Sequence, residues 1–293
     1  MRVLVPENLK GNALFSYLKT NRKQIIAQKC SAPIKTDDDQ SYLETFNHGC
    51  LSIKTNNEQK LGSKVNKSII SKMDDMNDDE VQVDVIANMA GYCDSYMDVL
   101  IPDCWQRTIS EKGASNKQLI YHLKNHQYST DSIVGGNVQM ASKYIDLNVF
   151  NLESDLKQGQ ALIGSSIVKK KYDSKCYHLY CDDEVKQHSI GLRYIKISLC
   201  MNSKEEEHQY EKENWDKYIK YVINKDKVEG RGYFWAVTEI KLLEYSTVLY
   251  GANELTTVHG SNKDEPSKDI HEPSKDIQLQ AKRKQLIINQ LNN

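Results

Sequence analysis

Three side chains on separate stretches have chemistry to offer: the hydroxyl of Ser189 in VKQHSIGLRYIKI, the imidazole of His126 closing QLIYHLKNH, and the carboxyl of Glu244 in LLEYSTV. A serine becomes a nucleophile when a base lies within hydrogen-bond reach and a third group fixes that base's tautomer. The Gly-x-Ser-x-Gly elbow of α/β-hydrolases is absent, because Gln187 stands where its first Gly would be. Gly191 leaves room above the strand for a substrate carbonyl. His188 is adjacent to Ser189, but strand alternation turns neighbours to opposite faces, so a base from elsewhere is needed. His126 is one, 189 − 126 = 63 residues earlier, so only a folded sheet brings the pair together. His122 and His126 share a face if their run is extended. Glu244 interrupts an apolar run, and a buried carboxylate needs a partner. An imidazole serves, and so does a Lys or Arg. The residues alone also allow ordinary readings: a strand-end serine, a surface histidine and a salt-bridged glutamate.

Other reactive groups offer less. The seven cysteines, Cys30, Cys50, Cys93, Cys104, Cys176, Cys181 and Cys200, are odd in number and contain no Cys-x-x-Cys pair, so reduced thiols are expected. Cys176 and Cys181 flank His178 without a second ligand pair nearby, so neither a metal nor a cofactor is expected. Cys104 and Cys200 are the candidates for a rival cysteine peptidase, and Cys200 ends a strand run with no predictable histidine partner.

Composition sets the frame for the elements that must position these groups. With 39% hydrophobic and 27% charged residues the chain reads as a globular protein, and a formal charge of −1 gives no general attraction to nucleic acid or anionic membrane. No apolar run approaches the ~20 residues of a membrane span, and MRVLVPENLKGN lacks a signal-peptide core, so the cytoplasm is the default location. Residues 1–80 read as an N-terminal extension: an amphipathic helix over Ala13–Lys29, then a polar stretch ending in the acidic run Asp74–Glu80. Residues 81–258 carry the strand candidates VQVDVIANMAGY, YIDLNVFNL, ALIGSSIVKK and HSIGLRYIKISL. Two adjoining strand runs follow in RGYFWAVTEIKLLEYSTVLYGA, and EEEHQYEKENWDKYIKYVINK reads as a charged helix. Residues 259–293 form a low-complexity tail with a tandem EPSKDI repeat and a short terminal helix. The expected fold class is α+β, built on a mostly antiparallel sheet or small barrel with flanking helices.

In this order the candidate residues carry a resemblance. Ile101-Pro102-Asp103-Cys104-Trp105 looks like a Pro-Gly-Ala-Phe corner. Asn125-His126 precedes Ile133-Val134-Gly135, His188-Ser189-Ile190-Gly191-Leu192 follows, and Leu242-Leu243-Glu244-Tyr245-Ser246-Thr247-Val248 leads to Ala252-Asn253. Together these blocks resemble the prohead proteases of tailed bacteriophages, which share the fold of the herpesvirus assemblins. GYFWAVTEIKLLEYS and MRVLVPENLK are especially similar to the version carried by crAss-like phages. The chain departs from the family pattern at Asp103-Cys104, at Gln127 beside the histidine, and at Gly251 before Ala252.

The resemblance implies an assemblin-like fold and a serine endopeptidase. Ser189 would be the nucleophile, His126 the base and Glu244 the third member, with His188 and His178 as outside candidates for that third place. It implies an oxyanion hole of backbone N–H groups, sought near Arg193. It also implies scaffold, major capsid, portal and other head proteins as substrates, self-cleavage at the chain's ends, possible homodimers, and a location in host cytoplasm inside the assembling prohead. The alternative from another class is a non-catalytic capsid-assembly protein on the same fold.

Overall fold

The computed structural model describes residues 5–31, 79–113, 118–152, 154–256 and 258–261. The acidic run up to residue 78, the EPSKDI repeat and the terminal helix expected near the end lie outside these residues.

Helix α1, Gly11–Cys30, opens the fold with a run free of interior Pro and Gly, and buries Leu14, Phe15, Leu18 and Ile25. The strands are β1 (Glu80–Met89), β2 (Asp98–Leu100), β3 (Tyr121–Lys124), β4 (Ile133–Asp146), β5 (Gln158–Lys169), β6 (Gln187–Met201), β7 (Tyr233–Val248) and β8 (Val258–Ser261). Between them lie a short helix α2 (Gln106–Thr108) running into a wider turn at Ile109–Gly113, then α3 (Ser174–Cys181), α4 (Gln209–Tyr218) and α5 (Lys225–Arg231). The class is α+β. All strands join one sheet in the order β2-β7-β3-β4-β5-β1-β8, with β6 on the other edge of β7. Among the described residues this is an open sheet and not a closed barrel. It is mostly antiparallel, with β2 and β3 parallel to β7.

Strand β7 organises the rest. Its β-branched and aromatic run suits a pleated, buried surface. One edge takes β6 along its length, from Gln187↔Val248 to Met201↔Tyr233. The other edge takes β2 at Trp235–Val237 and β3 at Glu244–Thr247, end to end. The two strand runs expected here are one strand; a register shift opposite Gly191/Leu192 sets Glu244 and Leu242 on opposite faces. YIDLNVFNL, expected as strand, is strand only to Asp146, where the Asp146 carboxylate accepts the Asn148 N–H and turns the chain into a 3₁₀ turn.

Three apolar clusters hold the layers together. The curled sheet encloses Val83 and Val85 of β1 with Val134 of β4, Leu162 of β5, Leu242 and Tyr245 of β7 and Tyr180 of α3. On the far side of β6 and β7, helices α1, α4 and α5 cover Leu199, Met201, Phe234 and Trp235. A third cluster closes the end of β1 and β5 around Ile86, Met89 and Leu147. Helix α1 is thus packed onto the body, and β8 carries pairing with β1 as far as Ser261.

Candidate active site

Ser189 lies near the start of β6 directly opposite Ser246, and Gly191 directly opposite Glu244. Directly opposed residues on neighbouring strands share a face, with Cβ atoms about 4.5–5.5 Å apart. Ser189, Glu244 and Ser246 therefore occupy one face of the β6–β7 pair.

His126 reaches that face by leaving strand geometry. Strand β3 ends at Lys124, and Asn125 and His126 both adopt left-handed backbone, φ 54° each. Such angles are unfavourable for residues with a Cβ and persist where surrounding bonds fix them. Here the Asn125 N–H donates to the Thr247 carbonyl (3.0 Å) and the His126 N–H to Ser246 Oγ (3.1 Å). The expected shared face for His122 and His126 is therefore corrected: the turn between them sends the two rings to opposite sides. His122 is buried and stacks on Tyr245, ring centroids 4.4 Å apart.

The Glu244 carboxylate is the hub. Its Oε1 lies 2.7 Å from His126 Nδ1, and its Oε2 accepts the Ser246 hydroxyl at 2.6 Å. The glutamate side chain is 1% exposed while the histidine keeps 22%, so a buried carboxylate orients a ring that solvent or substrate can reach. With Nδ1 engaged by Glu244, Nε2 is the ring nitrogen left for other partners. Among the described contacts no hydrogen bond joins the Ser189 hydroxyl to this ring. In unliganded sites such bonds are commonly long and tighten on substrate binding.

The space at Gly191 has a different use from the expected one. A Cβ there would lie 1.9 Å from Glu244 Oε1 and 2.5 Å from the Tyr128 hydroxyl. The missing side chain makes room for the chain's own Glu244 carboxylate, not for a substrate carbonyl. Partial burial, followed by the charge of Glu244, pushes the Tyr128 phenol above its ordinary range, so it stays protonated beside the carboxylate.

A second polar cluster backs the site on the other face. His122 Nδ1 bonds Ser166 Oγ (2.8 Å) and its Nε2 bonds Thr247 Oγ1 (2.9 Å). The Tyr180 hydroxyl meets His188 Nε2 and Thr247 Oγ1, each at 2.7 Å. Gly135 is shaped for this cluster, since a Cβ would come within 2.8 Å of His122 Nδ1. Burial, with His188 adding to it, holds His122 well below its ordinary range, so it is a neutral hydrogen-bonding group.

The remaining candidates fall away from the site. His188 is fully buried on the face opposite Ser189, as alternation required. His178 is exposed on α3. The thiols of Cys104 and Cys200 are buried and pushed well above the ordinary thiol range, which disfavours the nucleophilic thiolate. Arg193 lies two strand positions beyond Gly191, and its Nε is buried without a hydrogen-bond partner among the described residues. Cys176 and Cys181 lie on α3, and no metal-holding group of His, Cys, Asp or Glu occurs among the described residues. No helix among the described residues is long and apolar enough to cross a membrane.

Ser246 is the participant that sequence reasoning missed. Its signal was present: Glu244 and Ser246 are two apart in a strand and so share a face. Comparison of the chain with protein-family models, with curated proteins and with solved structures gives no match in any of the three.

Proposed function

We propose that the chain is a serine endopeptidase with Ser189 as nucleophile, His126 as general base and Glu244 as the group that orients the base. The observation that carries this reading is the 2.7 Å contact between His126 Nδ1 and the buried Glu244 carboxylate, on the face that also bears Ser189. A buried acid fixing one nitrogen of a half-exposed imidazole is the arrangement an activated serine requires.

In this mechanism His126 Nε2 takes the Ser189 hydroxyl proton as Oγ attacks the peptide carbonyl carbon. The imidazolium that forms is stabilised by Glu244, which remains a carboxylate. The tetrahedral intermediate then collapses, the C–N bond breaks, and Nε2 passes its proton to the departing amine. Water, deprotonated by the same ring, releases the acyl group and restores the serine. Backbone N–H groups would stabilise the oxyanion, and loss of one such donor typically costs ~10²–10³ in rate.

The resemblance of the four sequence blocks supports a narrower reading: an assemblin-like fold and a capsid-maturation enzyme. It would act inside the prohead on scaffold, capsid and portal proteins and finally on itself. The polar sequence stretches 32–78 and 262–293, which hold the acidic run and the EPSKDI repeat, are the sites this reading assigns to self-cleavage. Intact-mass measurement of purified wild type beside Ser189→Ala tests the activity. The wild type is expected to lose one or both stretches while the variant keeps the full 293-residue mass. The same mass profile for both proteins would instead favour a non-catalytic assembly role.

A further inference from the structure

Helix α1 ends at Cys30 and the next described element begins at Glu80, so 80 − 30 − 1 = 49 residues lie between the helix and the sheet it covers. Four apolar side chains anchor it. Leu14 and Leu18 are fully buried, Phe15 and Ile25 nearly so, and all four join Trp215, Phe234 and Trp235 in one cluster. Phe15 fits over Gly232, where a Cβ would come within 3.0 Å of its ring.

Two buried acids on the body each pair with a cation from α1. Glu211, 3% exposed, takes Arg22 at 2.9 Å. Asp98, 4% exposed, takes Lys29 at 2.5 Å and also accepts the Tyr194 hydroxyl at 2.7 Å. Asp94 lies beside Asp98 and accepts its N–H, so Lys29 also offsets a pair of neighbouring carboxylates. Arg231 donates to the Glu7 carbonyl ahead of the helix. Apolar anchors on a helix face flanked by two matched charges are how a sheet-and-helix groove receives a helical peptide.

We propose that the face built by β6, β7 and α4 is a receptor for α1 as a non-covalent ligand, so that a cut in the intervening residues yields a two-chain protein with α1 still in place. The connection contributes effective concentration, and the interface contributes the affinity. This holds whichever chemistry Ser189 performs. Because Tyr194 lies on the strand that carries Ser189, the Lys29–Asp98–Tyr194 contact also ties the seat of α1 to β6.

The test uses the full chain with the recognition sequence of a site-specific protease inserted between Asn56 and Asn57. A Ser189→Ala background keeps any self-cleavage out of the result. After complete cutting, native size-exclusion with intact-mass detection is expected to find both fragments in one peak, one copy of each. An isotope-labelled peptide of residues 9–31 added in excess is expected to replace the bound fragment, about tenfold faster when that fragment carries Lys29→Ala. Separation or precipitation of the cut fragments would overturn the proposal. So would elution as two copies of each, which would mean that α1 sits on another copy, or an exchange rate indifferent to Lys29→Ala.

Discussion

One hydroxyl, that of Ser246, touches both members of the His126–Glu244 pair. It accepts the backbone N–H of His126 and donates to the second oxygen of Glu244. Removing it leaves a buried donor and a buried acceptor unpaired, which typically costs about 1–3 kcal/mol for each group. Ser246→Ala is therefore expected to lower the unfolding free energy by a few kcal/mol in urea denaturation and to weaken peptidase activity. Glu244→Gln keeps the shape but not the charge, and its amide can present a donor to Nδ1. Peptide hydrolysis is expected to fall by ~10³–10⁴, with folding largely retained by circular dichroism. Gly191→Ala places a methyl 1.9 Å from the carboxylate oxygen. It should displace Glu244 and lower kcat more than it raises KM, because the base and not the substrate pocket is disturbed.

At the scale of elements, β7 presents different chemistry on its two faces: Glu244 and Ser246 toward the site, Tyr245 and Thr247 toward the buried cluster behind it. His122 there is faced by Ser166, Thr247, Tyr180, Tyr245 and His188. Held well below its ordinary range, it refuses a proton that the unfolded chain accepts. Its contribution to stability is complete above pH ~6.5 and is lost as pH falls below that. Asp94 acts with opposite sign: burial, reinforced by Asp98, raises its carboxyl, so its contribution fades as pH rises through the window above ordinary carboxylates. Comparing wild type with His122→Gln cancels the Asp94 part. The difference in unfolding free energy is expected to change between pH 7.5 and 5.5 by up to ~1.4 kcal/mol per pH unit, and a difference flat with pH would contradict a neutral buried His122. Strand β1 was legible in the sequence by alternation, since its first half buries one face, while β7, buried over consecutive runs, was legible from its β-branched and aromatic composition. The left-handed turn at Asn125–His126 was not legible, since no Gly marks it and tertiary bonds from β7 impose it. The end of β4 was missed for a similar reason: a single Asp146 cap overrode an apolar run.

For the whole molecule, the sheet brings His126 against Glu244, 118 residues later in the chain, on the face of the β6–β7 pair that also bears Ser189. The residues alone left ordinary readings open for all three, and the resemblance of the four blocks is what singled them out as a set. The sequence did not reveal how α1 is seated, because helical spacing says which face is apolar and not which surface will cover it. The account stands on Ser189 being activated by His126, and a fluorophosphonate probe reads that directly. Probe attached at Ser189 in the wild type, located by peptide mass spectrometry and reduced to background in His126→Ala, is the predicted result. Equal labelling of Ser189 in both proteins, or no labelling of Ser189 in the folded wild type, would contradict it.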